Sequence, residues 1–143
     1  MGKSILIVED DALFRSFLST ILKEEGHRLE EARDGKEGLA KFMGGDFDLV
    51  IADLKMPGLS GMDLLREAKK EKPEIRWIIM TAFGSIDSAV EAMKAGASDY
   101  LTKPLQNPQE LRHVVRRVLR EAEADRTISL LSEELGKQFP PAE

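Results

Sequence analysis

The sequence of 143 residues contains no cysteine, which excludes a disulfide framework and a thiolate metal site and fits a reducing cytoplasm. It has no early apolar run long enough for a signal peptide or membrane span, since the run over residues 5–8 ends at Glu9. It also has no excess of positive charge, because the net charge is -5. We therefore expect a cytoplasmic protein that binds neither membranes nor nucleic acid directly, and whose partner is a protein or a small ion.

Nothing in the composition is low-complexity: apolar residues make up 42% of the sequence and charged residues 33%. This balance is typical of a soluble folded protein, and the length suits one ordinary domain with a short tail. The character of the sequence changes after about residue 122. We expect a globular unit over residues 1–122 and a separate tail over residues 123–143.

Short apolar runs alternate with helical patterns along the globular unit. The runs at residues 5–8, 49–52 and 77–80 lack polar alternation, which indicates strands covered on both faces. Residues 28–32 and 98–102 are weaker strand candidates. The first helical pattern has a cap at Asp11, a stop at Gly26 and an apolar face of Phe14, Phe17, Leu18, Ile21 and Leu22. Four more helices are expected to open at Asp34-Gly35, Ser60-Gly61, Ser85 (ending at Ala95, before Gly96) and Asn107-Pro108.

Five alternating strands and helices predict an α/β fold of the flavodoxin-like, doubly wound type. Its five-stranded parallel sheet should have the strand order 2-1-3-4-5. Ligands of such a sheet gather at the carboxyl ends of the strands.

The fifth helix is expected to continue into the tail as a linker helix. Its first half turns Leu111, Val114, Val115, Val118 and Leu119 inward, and the tail carries an apolar stripe of Ile128, Leu131 and Leu135. In a complete five-stranded domain, no apolar surface remains uncovered for this stripe to pack on. It should pack on a second copy of the chain or on a downstream domain.

Polar side chains follow four of the predicted strands. Those expected to converge at one edge of the sheet are Glu9, Asp10, Asp53, Thr81 and Lys103. Clustered carboxylates raise one another's pKa, a cost that a bound divalent cation relieves, and oxygen ligands favour Mg²⁺. The lysine can pair with Asp53 and then with a phosphoryl oxygen, to which the threonine can also donate. The set suits in-line phosphoryl transfer onto a carboxylate.

At this point the sequence resembles response-regulator receiver domains over residues 3–122. The resemblance is carried by Glu9-Asp10, Asp53-Leu-Lys-Met-Pro57-Gly58, Thr81-Ala82 and Lys103-Pro104. It implies that Asp53 accepts a phosphoryl group from a sensor histidine kinase, with Asp10 as a direct Mg²⁺ ligand and Glu9 as a ligand through water. It further implies a metal contact from the Lys55 backbone carbonyl and a cis Lys103-Pro104 peptide. Such a domain is a phosphoacceptor that assists its own phosphorylation and dephosphorylation, and not an enzyme.

The resemblance also implies a switch, in which Thr81 moves toward the phosphoryl group and Tyr100 turns inward behind it. The fourth helix, fifth strand and fifth helix would then change their surface. The first acid, Glu9, departs from the commoner Asp and lengthens the arm by one methylene, which could change how the metal water is held. Tyr100 could instead simply fill space at the sheet edge.

A finer similarity is to receivers of the nitrogen-regulation type, based on residues 81–100 and the tail motif Leu-Leu-Ser-Glu-Glu-Leu. It implies a homodimer, and downstream ATPase and DNA-binding domains that activate sigma-54-dependent transcription and are not in this sequence.

Two other functions compete with that of a phosphorylated receiver. A haloacid-dehalogenase-type phosphohydrolase needs a second aspartate two residues after the nucleophile, where this sequence has Lys55. A receiver-like interaction module that is not phosphorylated stays open as an alternative.

Several other residues are interpreted as structural. Asp11 is expected to be a helix cap, Trp77 to pack in or beside the sheet, and His27 and His113 to lack a chemical role. The basic face of the fifth helix is expected to be solvated or dimer-facing; it consists of Arg112, Arg116, Arg117 and Arg120.

Overall fold

The structure is a computed structural model that describes residues 2–82, 86–105 and 107–138, with the side chains of residues 135–138 outside that description. Within these residues the strands β1 to β5 are, in chain order, Ser4–Val8, Arg28–Ala32, Leu49–Asp53, Arg76–Ala82 and Asp99–Lys103. The helices α1 to α5 are Ala12–Glu24, Gly35–Gly44, Gly61–Glu71, Ile86–Lys94 and Pro108–Gln138.

The strands form one parallel sheet in the order β2-β1-β3-β4-β5, as the sequence predicted. In the register of the two central strands, Val8 of β1 lies beside Ala52 of β3. On the other side of β3, Asp53 lies beside Met80 of β4. The residues that end these strands therefore come out next to one another.

Both faces of the sheet are covered, which explains why the strands are apolar throughout. On one face, alternate strand residues such as Ile5 and Ile7 pack with helices α1 and α5. On the other face, Leu6 and Val8 pack with residues of α2, α3 and α4. Trp77 of β4 is fully buried on that second face, with its ring centroid 5.7 Å from that of Phe42, so its predicted place in the sheet is confirmed.

The predicted helix starts are confirmed where the structure describes them. The side chain of Asp11 accepts hydrogen bonds from the backbone N–H groups of Leu13 and Phe14, which makes it the cap of α1. Asp34, Ser60 and Asn107 accept from backbone N–H groups in the first turns of α2, α3 and α5. Helix α1 ends before Gly26, whose φ of 89° lies in the left-handed region that glycine enters without steric cost.

Some predicted details differ from the structure, and one lies outside the described residues. Phe17 is 39% exposed, because it lies at the edge of the buried face of α1 that Leu18, Ile21 and Leu22 form. Strand β5 runs over Asp99–Lys103, one residue later than predicted. Helix α4 begins at Ile86 among the described residues, and the predicted start at Ser85 lies outside them.

Helix α5 is continuous from the core of the domain into the tail. Its first half is buried as predicted, through Leu111, Val115, Val118 and Leu119, with Val114 partly buried. Farther on, Glu123 forms an ion pair of 2.8 Å with Lys3, and Asp125 pairs with Arg76. Beyond these pairs, Ile128, Leu130 and Leu131 are 62%, 59% and 58% exposed. The predicted stripe residue Leu135 has no described side chain.

Candidate functional site

Three carboxylates meet at the carboxyl end of the two central strands. Glu9 follows β1, Asp10 comes next, and Asp53 is the last residue of β3. One carboxylate oxygen from each residue lies within 4.8 Å of the other two. Glu9 and Asp53 are buried, with 1% and 6% exposed, whereas Asp10 is exposed. The structure thus brings together the acidic residues that the sequence placed at one edge.

Lys103, the last residue of β5, supplies the positive charge of the site. Its ammonium donates hydrogen bonds of 2.8 Å to Oδ2 of Asp53 and of 2.8 Å to Oε1 of Glu9. Burial alone would lower the pKa of Lys103, but the hydrogen bonds to Asp53 and Glu9 outweigh it and raise the pKa above its ordinary value. The side chain of Lys103 is therefore positively charged at neutral pH. The Lys103-Pro104 peptide bond is cis, as the resemblance implied.

Glu9 uses both of its carboxylate oxygens inside the protein. Oε1 accepts from Lys103, and Oε2 accepts from the backbone N–H of Asp11 at 3.0 Å. Burial raises the pKa of Glu9 to about 7; the hydrogen bonds from Lys103 and Asp11 oppose this rise, and the nearby acids Asp10 and Asp53 add to it. Glutamate has one methylene group more than aspartate, and with this longer side chain the carboxylate of Glu9 contacts the ammonium of Lys103.

The acids and the lysine fit a hard divalent cation. The ligand atoms are oxygens only, and the pKa of Glu9 is raised mainly by burial, with a smaller contribution from the nearby acids Asp10 and Asp53. A cation held by such a cluster relieves the repulsion between the acids, and Mg²⁺ prefers one or two carboxylates with waters and a phosphate oxygen.

Thr81 lies on β4, next to the strand that ends in Asp53, and Tyr100 lies one strand farther out, on β5. Thr81 directly follows Met80, the register partner of Asp53, and its side chain is buried, with 1% exposed. Tyr100 lies on the edge strand β5 and is 45% exposed, so its ring is turned to solvent in this structure. Residues 83–85, which follow Thr81 and Ala82, lie outside the described part of the chain.

The loop after Asp53 folds back onto the Asp53 side chain and backbone. The backbone N–H of Lys55 donates to Oδ1 of Asp53 at 3.1 Å, and the N–H of Gly61 donates to the carbonyl of Leu54 at 3.0 Å. A Cβ atom at Gly61 would lie 2.1 Å from the Asp53 carbonyl oxygen, a distance that only glycine permits. The sequence predicts only a helix start at Ser60-Gly61. A glycine at a first helical position, where most other residues are better helix formers, was the available signal.

Two further residues that support the site were missed from the sequence. The guanidinium of Arg15 donates a hydrogen bond of 2.7 Å to the backbone carbonyl of Glu9, and it also pairs with Glu31 at 3.4 Å. The ring of Phe14 lies beneath the ammonium of Lys103, 4.8 Å from the nitrogen to the ring centroid. The sequence placed Phe14 on the apolar face of the first helix and indicated no role for Arg15; the partner of Phe14 is distant in the chain, whereas Arg15 is only six residues from Glu9.

The remaining polar residues singled out from the sequence have structural surroundings. Nδ1 of His27 accepts a hydrogen bond of 3.0 Å from the backbone N–H of Lys3, and His113 is exposed. In the basic face of α5, the guanidinium groups pair with acids of the same chain: Arg112 with Glu24, Arg116 with Glu25, and Arg117 with Asp99. Among the helices that the structure describes, none combines the length and apolar character needed to cross a membrane.

Comparison with known proteins agrees with the geometry. Residues 5–116 match the family model described as the response regulator receiver domain. The transcriptional regulatory protein ZraR of Klebsiella oxytoca is 44% identical over 101 residues, which cover 71% of this chain and 23% of ZraR. The response regulator protein FleR of Pseudomonas aeruginosa is 39% identical over 119 residues, which cover 83% of this chain and 25% of FleR. The chain therefore spans about a quarter of the length of these relatives.

Solved structures show the same fold. The receiver domain protein (CheY-like) from Methanospirillum hungatei JF-1 superposes with a TM-score of 0.82 at 36% identity, covering 87% of this chain and 99% of that one. NtrX from Brucella abortus superposes with a TM-score of 0.87 at 34% identity, covering 92% of this chain and 30% of NtrX. The family match, the shared fold and the acidic cluster lead to one conclusion: this chain belongs to the response regulator receiver domains of two-component systems.

Proposed function

We propose that Asp53 accepts a phosphoryl group from a sensor histidine kinase in the cytoplasm. The observation that carries the proposal is the lysine bridge, in which the ammonium of Lys103 lies 2.8 Å from the carboxylates of both Asp53 and Glu9. The buried carboxylate can act as the nucleophile. The ammonium beside it lies where negative charge will develop on the transferred group. This arrangement is what in-line phosphoryl transfer requires.

In the reaction, an oxygen of the Asp53 carboxylate attacks the phosphorus of the donor. The new O–P bond forms as the P–N bond to the kinase histidine breaks, and the imidazole leaves with the electron pair of that bond. Lys103 and the hydroxyl of Thr81 donate hydrogen bonds to the phosphoryl oxygens, together with backbone N–H groups of the loop after Asp53. We assign no other enzymatic activity to the domain, which assists its own phosphorylation and dephosphorylation.

Glu9, Asp10, Asp53 and the backbone carbonyl of Lys55 would hold Mg²⁺, with Glu9 acting through water. When bound, the ion neutralises the charge of the acids and of the transferred group. The crowding of three carboxylates within 4.8 Å supports this assignment.

The output of phosphorylation would be a change on the surface formed by α4, β5 and α5. Thr81 would move toward the phosphoryl group, and Tyr100 would turn from solvent into the space left behind it. The 45% exposure of Tyr100 suits the unphosphorylated state of such a switch.

The receiver unit would comprise residues 1–122, with residues 123–143 as a linker helix toward an output domain. The exposed Ile128 and Leu131 support association of this helix with a second copy, giving a homodimer. ZraR carries the name transcriptional regulatory protein, which supports an output in transcription. We place the output in ATPase and DNA-binding domains of the nitrogen-regulation, sigma-54-dependent type.

The proposal is tested by incubating the protein with Mg²⁺ and acetyl phosphate and measuring its intact mass. We expect the mass of one phosphoryl group to be added to the wild type and to an Asp46→Asn control. Asp46 is exposed and precedes β3, so it lies away from the carboxyl ends of the strands. The Asp53→Asn variant should stay unmodified. Equal modification of Asp53→Asn would overturn the assignment, and no modification of the wild type would favour the alternative of an interaction module that is not phosphorylated.

A further inference from the structure

We propose that Phe14 is a positioning residue for Lys103, an inference that rests on the proposed phosphoryl transfer. The nitrogen of the Lys103 ammonium lies 4.8 Å from the centroid of the Phe14 ring. This distance is within the range of roughly 6 Å over which a cation is attracted to an aromatic face. Among the residues that the structure describes, Phe14 provides the one aromatic ring over which this ammonium lies.

The ring completes the surroundings of the ammonium. Two neighbours are carboxylates, at 2.8 Å to Glu9 and 2.8 Å to Asp53, and the third is the face of Phe14. A lysine side chain has four rotatable methylene groups and loses much freedom when it is held in one place. With 25% of the Lys103 side chain still exposed, burial by itself does not fix the ammonium, and the ring restricts it further.

The ring itself is held firmly. Phe14 packs against the core between the sheet and helices α1 and α5, and its ring stacks on that of Phe17 with the centroids 6.1 Å apart. Its backbone N–H donates to the capping carboxylate of Asp11 at 3.3 Å. Because Asp11 directly follows Asp10, one helix start fixes both the acidic loop and the ring under the lysine.

An aromatic face suits this position chemically. It attracts the ammonium through the negative charge of its face, yet it accepts no conventional hydrogen bond and adds no full charge. A third carboxylate in its place would compete with Asp53 and with the incoming phosphoryl oxygens for the same N–H donors. Phe14 therefore holds the lysine near the acceptor without adding a further hydrogen-bond acceptor that would compete for its N–H groups.

The test compares Phe14→Leu, Phe14→Tyr and Phe14→Trp with Phe47→Leu, which removes a buried ring on the opposite face of the sheet, away from Phe14 and the lysine. The first measurement is phosphorylation by acetyl phosphate at saturating Mg²⁺, with the maximal rate separated from the half-saturating donor concentration. We expect Phe14→Leu to lower the maximal rate roughly threefold to tenfold, since misplacement of the cation affects the transition state. The half-saturating concentration should change less than about twofold.

The tyrosine and tryptophan variants should restore the maximal rate to within about twofold of wild type, because they keep an aromatic face, and Phe47→Leu should match wild type. A wild-type rate in Phe14→Leu would overturn the proposal. Equal losses of maximal rate in Phe14→Leu and in both aromatic variants would also overturn it, because the loss would then come from disturbed packing and not from the missing aromatic face.

The second measurement does not depend on phosphorylation. In nuclear magnetic resonance spectra, the ε-methylene protons of Lys103 should be shifted upfield by the ring in wild type and Phe14→Tyr, and should return to ordinary values in Phe14→Leu. If the wild type took no phosphoryl group, the proposed function would fail, whereas a shift that depends on Phe14 would still support the positioning of Lys103. A shift unaffected by Phe14→Leu would overturn the positioning itself.

Discussion

The ammonium of Lys103 lies 2.8 Å from Oε1 of Glu9, so the first acid of the site is a direct partner of the lysine. The sequence placed these residues at the same sheet edge but gave Glu9 a role through the metal only. The contact lowers the pKa of Glu9 but does not cancel the effect of burial, which raises that pKa to about 7 and makes metal binding depend on pH.

We expect Mg²⁺ to bind more tightly as the pH rises from 6 to 8. With a pKa of about 7 in the metal-free protein, Glu9 carries a proton over the lower part of this range, and a bound cation must displace it. For one proton the affinity should rise about tenfold across these two pH units and level off above them. Calorimetric titration checks this. The Glu9→Gln variant, which has no proton to lose, should show little of this dependence, and an unchanged slope would assign the proton to another group.

Gly61→Ala should distort the loop after Asp53, although it adds only one methyl group. The new Cβ would meet the backbone carbonyl of Asp53 at 2.1 Å and Cα of Leu54 at 2.8 Å, so backbone must move. We expect a loss of about 1–3 kcal/mol in the free energy of unfolding and weaker Mg²⁺ binding. The matched control is Gly44→Ala, where no atom lies within 4 Å. That variant should be neutral or more stable by up to about 1 kcal/mol in denaturant titration.

The hydrogen bond to His27 predicts a loss of stability in mild acid. Its Nδ1 must be unprotonated to accept from the Lys3 N–H, and burial lowers the pKa of His27 despite opposing effects of Glu25 and Asp48. The folded protein thus binds this proton less readily than the unfolded chain. The contribution of His27 is complete above the unfolded pKa of about 6.5 and is lost as the pH falls below it, with a limiting slope of about 1.4 kcal/mol per pH unit.

The comparison for this effect is His27→Asn, whose side-chain oxygen can replace Nδ1 as acceptor without titrating in this range. Denaturant titrations in the presence of a chelator at pH 7.5 and 5.5 should show the wild type losing stability relative to the variant. The raised pKa of Glu9 acts in the opposite direction, favouring the folded state as the pH falls, but it is common to both proteins and cancels in the difference. Parallel profiles would mean that His27 does not titrate as inferred.

The exposed stripe on the tail of α5 should mediate self-association. We expect the double variant Ile128→Glu with Leu131→Glu to weaken a dimer by tenfold or more in sedimentation, on the order expected for placing charges in an apolar interface. Mg²⁺-dependent phosphorylation should be unaffected. The double variant tests the apolar stripe alone. Truncation after Glu121 would also remove the ion pairs that Glu123 and Asp125 form with Lys3 and Arg76.

The matched control for the tail is Arg126→Gln with Ser129→Glu. It changes the net charge by the same amount on the opposite side of the helix, at 100° per residue. It should leave association as in the wild type. Equal oligomeric states in all three proteins would contradict the role of the stripe.

The elements that carry the site were predictable because their signals are local. Apolar runs without alternation marked strands buried on both faces, and Asp11, Asp34, Ser60 and Asn107 each capped the helix that followed. Once five strands and helices alternate, the handedness of their connections leaves few sheet orders. The order found is the predicted one.

The sequence by itself determined which residues reach the acidic edge, because a residue that ends a parallel strand must emerge there. Only the tertiary structure decided how they touch: that Glu9 reaches Lys103, that Gly61 lies against the backbone of Asp53, and that Phe14 lies under the lysine. Phe17, assigned to the buried face from its spacing, is 39% exposed, because the packing of other elements around the helix decides how much of that face is covered. Periodicity fixes the direction of a side chain on its own element, whereas contacts depend on the separation and packing of elements that are distant in the chain.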